Sequence, residues 1–287
     1  MNKYVIFTDS CCDLTTEMYE SLGLRVLPFD VIMEGEKPTP NDRLDIKEVY
    51  EKLRAKKAAS TSAINMERFY NAFEGAVQEG YDVLYLGFSS GLSATYHAST
   101  IAAQELSEKY PHRKIYTVDT LCASMGEGLL VYLAAKLKHS GASMEDVRDY
   151  VENNRLNLCH WFTVDDLFFL KRGGRVNAAL AVAGTILSIK PVLHVDNNGK
   201  LINVSKVRGR KASIDTMFEK MKATLLPNQN DVVFISHGDC IEDAEYLAGR
   251  IKNELAISEV VINYIGPVIG SHSGPGTLAL FFLGTER

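Results

Sequence analysis

Two rhythms of apolar and polar positions alternate along the first half of the chain. Short apolar runs end in small polar residues, and longer stretches with helical spacing follow them. Lys3 to Phe7 reads as a strand ending at Thr8-Asp9-Ser10, with a helix over Leu14 to Leu22 capped near Asp13. Arg25 to Met33 reads as a second strand, Glu34 to Asp42 as a loop carrying Gly and Pro, and Asp45 to Lys56 as an amphipathic helix. Met66 to Gln78 is helical, a strand starts near Tyr81, and Ala94 to Lys109 is helical again. Ile115 to Val118 is the next strand, Met125 to Lys138 the next helix, and Met144 to Arg155 another, with Ser143 as N-cap. Strands alternating with helices predict a parallel, Rossmann-like α/β sheet.

Beyond residue 157 the rhythm changes. Cys159 to Val164 reads as a strand. Val192 to Val195 and Leu201 to Val204 flank Asn197-Asn198-Gly199, a hairpin signal. Asp215 to Leu226 and Ile241 to Leu255 are helical, and Val232 to Ser236, Val260 to Tyr264 and Leu278 to Leu283 are strands. The chain is therefore expected to form two domains. Residues 1–157 make an N-terminal α/β domain. Residues 158–287 make a C-terminal α+β domain with a mixed, more antiparallel sheet, and the ligand lies between the two.

At 287 residues, with 46 % hydrophobic and 23 % charged positions, the composition is that of a globular protein longer than one small core requires. The formal charge of −5 argues against nucleic acid as the main partner. No segment reads as a signal peptide or membrane span, so a cytoplasmic protein without stable membrane insertion is expected. The cysteines Cys11, Cys12, Cys122, Cys159 and Cys240 form no C-x-x-C, and the histidines are scattered. Reduced thiols and neither metal nor cofactor are the expectation.

Ligands of parallel α/β sheets bind beyond the carboxyl ends of the strands. Thr8-Asp9-Ser10, the turn holding Ser89, Ser90, Gly91 and Ser93, and Asp119-Thr120 all fall there and are expected to converge. The turn leads into a helix N-terminus, where hydroxyls and free N–H groups make an anion site for a carboxylate or phosphate. Ser93 has two open readings, a structural cap or a holder of a ligand oxygen. Gly87-Phe88-Ser89-Ser90-Gly91 also fits G-x-S-x-G, so a serine esterase using Ser89 is one alternative, although no His-Gly-Gly-Gly segment precedes it, and a sensor binding another lipid or a small phosphorylated metabolite is the other.

Further candidates are scattered. Ser60-Thr61-Ser62 sits between elements, either as local backbone-bonding hydroxyls or as ligand donors. Gly266 to Gly276 frames His272 with glycines and prolines, as a rigid loop presenting a donor to an anion. Leu170 to Arg175 sets Arg172 and Arg175 around Gly-Gly without the P-loop pattern. Lys206 to Lys211 concentrates positive charge, including Arg208 and Arg210, as a solvated face or a docking site for an acidic partner. Ala178 to Ile189 is apolar nearly all round, a core helix or the wall of a long apolar ligand's site.

Taken in order along nearly the whole chain, these segments resemble the DegV family of bacterial fatty-acid-binding proteins. The resemblance rests on Phe7 to Ser10, Ser60 to Ser62, Ser90 to Tyr96, Val118 to Thr120, Ala123 to Gly128, Phe162 to Val176, Ile189 to Pro191, Lys206 to Lys211 and Gly266 to Gly276. It implies a two-domain α/β protein holding a long-chain fatty acid such as palmitate in an apolar tunnel between the domains. It further implies that Thr61 and Ser93 bind the carboxylate, with Ser62 beside them, the Ala94 N–H as a further donor and His272 completing the polar network. Arg172 would support the site. By the same resemblance the protein is a carrier without catalysis of its own. It presents the fatty acid to a separate, dihydroxyacetone-kinase-like fatty acid kinase subunit, which forms an acyl phosphate for phospholipid synthesis. Arg208 to Lys211 is the implied kinase-docking cluster. Two departures stand out: Ala94 replaces a frequent Gly, and Ala63-Ile64 replaces a frequent Gln-Pro, which bears on chain preference.

Overall fold

The computed structural model describes residues 3–176, 189–255 and 257–287. The apolar stretch from Ala178 lies outside the described residues up to position 188. In chain order the first half contains β1 (Tyr4–Asp9), α1 (Thr16–Ser21), β2 (Leu24–Leu27), β3 (Asp30–Met33), β4 (Thr39–Pro40), α2 (Ile46–Arg54), β5 (Ala59–Ser62), α3 (Met66–Gln78), β6 (Asp82–Gly87), α4 (Thr95–Lys109), β7 (Ile115–Asp119), α5 (Met125–His139) and α6 (Met144–Asn154).

A parallel sheet of order β2-β1-β6-β7 forms its centre. Residues of β6 are buried on both faces, as a central parallel strand requires. Alternation along β1 sends Val5 and Phe7 into a core with Phe69 and Phe73 of α3, and Ile6 into the opposite core with Leu129 and Leu130 of α5. Helix starts follow their capping residues. Asp45 accepts from Lys47 and Glu48, Asn65 from Arg68, and Ser143 forms a capping box with Asp146.

Three local expectations are corrected. Arg25 to Met33 is not one strand. Pro28 can donate no N–H and the Phe29 N–H goes to Ser10 Oγ (3.0 Å), so the chain leaves the parallel sheet after β2 and enters a small antiparallel sheet of order β4-β3-β5. Ser60 to Ser62 is a strand, not a connecting turn, with Thr61 opposite Val31. The cap of α1 is Thr15, which accepts from Met18, whereas Asp13 adopts a left-handed conformation.

The second half continues with β8 (Leu158–Thr163), α7 (Phe168–Arg172), β9 (Ile189–Val195), β10 (Leu201–Arg208), α8 (Arg210–Thr224), β11 (Val232–His237), α9 (Ile241–Glu254), β12 (Glu259–Tyr264), α10 (Pro267–Ser273) and β13 (Leu278–Leu283). Its strands form a mixed sheet of order β10-β9-β8-β13-β11-β12, antiparallel except for β11 with β12. One face packs on α8 and α9 through Met217, Phe218 and Leu247. The other face, with Phe162, Phe234 and Phe281, shares a core with α5. The glycine-framed segment around His272 is not a loop but contains α10, opened by Pro267 at its first position.

The β9–β10 turn docks on the Ser89–Gly91 turn of the other half. Gly199, at φ +69°, lies against Ser89, and Gly91 lies against the backbone of Asn198 and Gly199. A Cβ on Gly91 would stand 2.5 Å from Asn198 O. Gly91→Ala is expected to destabilise the protein by about 1–3 kcal/mol through this overpacking. Urea unfolding at unchanged slope measures it, and an unchanged midpoint would show that the two turns part freely.

Candidate ligand-binding site

The carboxyl ends of β1, β6 and β7 converge, and the acids there serve the backbone. Buried Asp9 accepts from Tyr85 OH (2.7 Å) and from the N–H groups of Phe88 and Cys11 (3.0 Å each). Asp119 accepts from Ser90 N–H (3.2 Å) and Leu121 N–H (3.0 Å), and Thr120 Oγ1 donates to Gly87 O (2.7 Å). These bonds fix the turn from Phe88 to Ser93. Ser89 is fully buried and donates to Gly199 O (2.9 Å) while accepting from Gly91 N–H (3.1 Å). Its hydroxyl proton is committed to a carbonyl and no histidine reaches it, so the esterase reading loses its nucleophile–base pair.

Ser93 sits one residue further back from α4 than the expected cap. The helix begins at Thr95, and Ser93 Oγ accepts from Thr95 N–H (3.2 Å) and contacts Thr95 Oγ1 (3.0 Å). Among the described residues the N–H of Ala94 has no partner. Ser93 and Ala94 line a cavity of about 360 Å³ that Thr61 and His272 also line. That volume is within the range of small-ligand sites, about 300–1,000 Å³. Thr61 Oγ1 and His272 Nε2 are 2.8 Å apart. The cavity walls away from these groups are mostly apolar, with Phe29, Phe88, Leu92, Phe162, Val268 and Phe281 prominent.

Four of the expected ligand residues, Thr61, Ser93, Ala94 and His272, thus face one cavity. Ser62 is not among its lining residues, since alternation along β5 turns it away from the face that carries Thr61. Beside His272, α7 ends in Gly173, whose missing Cβ leaves room for the imidazole. Arg172 stacks over Phe169 (5.1 Å to the ring centre), and one of its buried guanidinium nitrogens has no partner among the described residues. Arg175 lines the cavity and donates to Gly173 O. Burial, reinforced by the charges of Arg175 and Arg172, pushes the His272 pKa down to about 4, so the imidazole is neutral at pH 7.

The basic cluster is partly committed. Arg210 pairs with Asp243 (2.8 Å), while Arg208 is exposed on the edge strand β10. Among the described residues no group of His, Cys, Asp and Glu could hold a metal ion. Arg175, Ser124, His160, Ser273 and Thr277 line the cavity without having been singled out as ligand residues. The Lys-Arg-Gly-Gly-Arg run held a signal for Arg175. The others lie in apolar or glycine-rich segments whose facing depends on tertiary packing.

Comparison with known proteins agrees along the whole chain. A family profile described as an uncharacterised protein of the DegV family matches residues 3–285. A DegV domain-containing protein of Clostridium perfringens is 46 % identical, with 100 % of this chain and 99 % of that protein covered. A solved structure described as fatty acid binding of a DegV family protein from Thermus thermophilus superposes with a TM-score of 0.88 at 30 % identity, covering 99 % of this chain and 100 % of that one. The structure of DegV from Bacillus subtilis, described as a fatty acid binding protein, gives a TM-score of 0.85 at 26 % identity, covering 99 % and 100 %.

The depressed His272 pKa has a signed consequence. The unfolded chain takes up this proton near pH 6.5, the folded one only near 4, so the stability due to neutral His272 is complete above about 6.5 and is lost as the pH falls towards 4. His272→Gln removes this dependence. The stability difference between parent and variant should therefore shift against the parent over that window, measured by denaturant unfolding at stepped pH. A constant difference would show that His272 titrates normally.

Proposed function

The chain belongs to the DegV family, and from that premise we propose that it binds a long-chain fatty acid such as palmitate, carboxylate at Thr61, Ser93 and the Ala94 N–H, acyl chain in the apolar cavity. One observation carries the reading: an unpartnered helix-entry N–H and the Thr61–His272 pair open onto the same largely apolar cavity. Neutral His272 with its proton on Nε2 donates to Thr61 Oγ1. The Thr61 hydroxyl proton is then available to a ligand oxygen, and a carboxylate accepts it together with the Ala94 N–H. Arg172 and Arg175 put positive charge beside that oxygen.

Magnitudes divide the labour. About fourteen CH₂ groups at roughly 0.8 kcal/mol each give a gross gain near 11 kcal/mol, against about 1–3 kcal/mol for each polar contact. The tail sets affinity and the polar end sets orientation. We infer further that the protein is a non-catalytic cytoplasmic carrier. It presents the carboxylate to a separate dihydroxyacetone-kinase-like subunit for conversion to an acyl phosphate. Arg208, exposed on β10, is a candidate contact for an acidic surface of that subunit, with Arg210 behind it. Among the described residues no helix is long and apolar enough to cross a membrane.

Native mass spectrometry of protein purified from cells, followed by solvent extraction, is expected to show one free fatty acid per chain. An empty protein that also refuses added palmitate and oleate would sink the reading. Thr61→Ala and Ser93→Ala are each expected to weaken palmitate binding by no more than about tenfold, or 1.4 kcal/mol, and to reduce acyl phosphate formation further. Complete loss of binding in both variants would refute the division between tail and head. Ala279→Leu, which adds bulk to a lining position of β13, is expected to shift the extracted ligand towards shorter chains, read in the same spectra.

A further inference from the structure

One wall of the cavity is polar where an acyl chain alone would want none. Ser273 lines the cavity, is 5 % exposed, and its Oγ has no hydrogen-bond partner among the described residues. Thr277, also lining, is 2 % exposed and donates its hydroxyl to Ser273 O (2.9 Å) and Gly274 O (2.8 Å), leaving its oxygen free to accept. Register places Ser236 of β11 opposite Ala279 of β13, so Thr277, two residues before Ala279, turns its side chain to the same side of the sheet. Ser236 Oγ in turn touches Ser124 Oγ (3.0 Å), and Ser124 is a lining residue held by Asp13 (2.6 Å). Ser273, Thr277 and Ser124 thus form a hydroxyl-bearing corner, and its one orphan is the Ser273 donor.

Resting on the fatty acid reading above, we propose that this corner is a second polar subsite that takes a hydroxyl group on the acyl chain, so that the ligand class includes hydroxy fatty acids. The ligand hydroxyl accepts from Ser273 Oγ and donates to Thr277 Oγ1, satisfying both partners at once. A plain methylene chain leaves the Ser273 donor buried and unmet, and a hydroxyl elsewhere in the cavity meets apolar walls at a cost. The placement follows from α10. Ser273 is the immediate neighbour of His272, and both line the cavity, so the hydroxyl belongs within the first few carbons from the carboxylate.

Delipidated protein is titrated with palmitate, 3-hydroxypalmitate and 12-hydroxystearate in competition with a fluorescent fatty acid. The parent is expected to prefer 3-hydroxypalmitate over palmitate, and Ser273→Ala to reduce that preference about tenfold, with palmitate bound at least as well as by the parent. An equal preference in parent and variant, with palmitate bound by both, overturns the subsite alone and assigns the Ser273 hydroxyl to an ordered water. A Ser273-dependent preference for 12-hydroxystearate overturns the placement near the carboxylate. Failure of the parent to bind any of the three overturns the fatty acid reading and the subsite with it.

Discussion

Helix α5 has almost no solvent face over its first two turns, and the rest of the molecule is arranged around that burial. Residues Met125 to Val131 are all buried, with Leu129 and Leu130 in the core under the parallel sheet and Phe162, Phe234 and Phe281 of the mixed sheet in that same core. A helix sandwiched between two sheets buries apolar area twice over, which holds the halves together without an extended interface of its own. Close approach at both sides depends on small residues. Gly126 lies against His160 and Phe281, and Gly128 against the backbone of Cys12. Ala123 and Ser124, just before α5, form part of the cavity lining.

A second clamp closes the edge of that space. The Arg287 guanidinium donates to Leu121 O (2.8 Å), Asp196 O (3.2 Å) and Leu158 O (3.1 Å), so it ties the segment after β7, the β9–β10 turn and the start of β8 to one another. The same turn carries Gly199, whose carbonyl accepts from Ser89, and Ser89 O accepts from the N–H groups of Leu92 and Ser93. The site's serine is therefore located by bonds that run through the other half of the chain.

Much of this was legible in the sequence because it is local. The strand over Lys3 to Phe7, the Asn-Gly turn at 198–199 and the cap at Ser143 are written in adjacent residues. So was the hydroxyl turn at Ser89 to Ser93. The break at Pro28 was hidden because Arg25 to Met33 keeps strand-like residues on both sides of it, and only the pairing partners reveal two sheets. The role of Ser89 was hidden for another reason. G-x-S-x-G describes a turn between strand and helix, and here that turn is required by docking against Gly199, a contact between residues 110 positions apart. Ser124, His160 and Thr277 reach the cavity through sheet register and α5 packing, neither of which leaves a spacing to read.

On the proposed reading, charge favours a carboxylate at the end that carries Arg172 and Arg175. Three acids, Asp9, Asp13 and Glu127, are buried without a paired cation among the described residues, and burial raises the pKa of each, that of Asp13 to about 7 and that of Glu127 well above the carboxylate range. A ligand carboxylate driven towards them would add charge where burial already disfavours the charged form. Beside Thr61 stand a neutral His272, whose ring nitrogens can still exchange hydrogen bonds, and the guanidinium groups of Arg175 and Arg172. The apolar walls themselves favour neither direction of threading. The orientation of any amphiphile with a single negative terminus thus falls to the guanidinium charges beside His272.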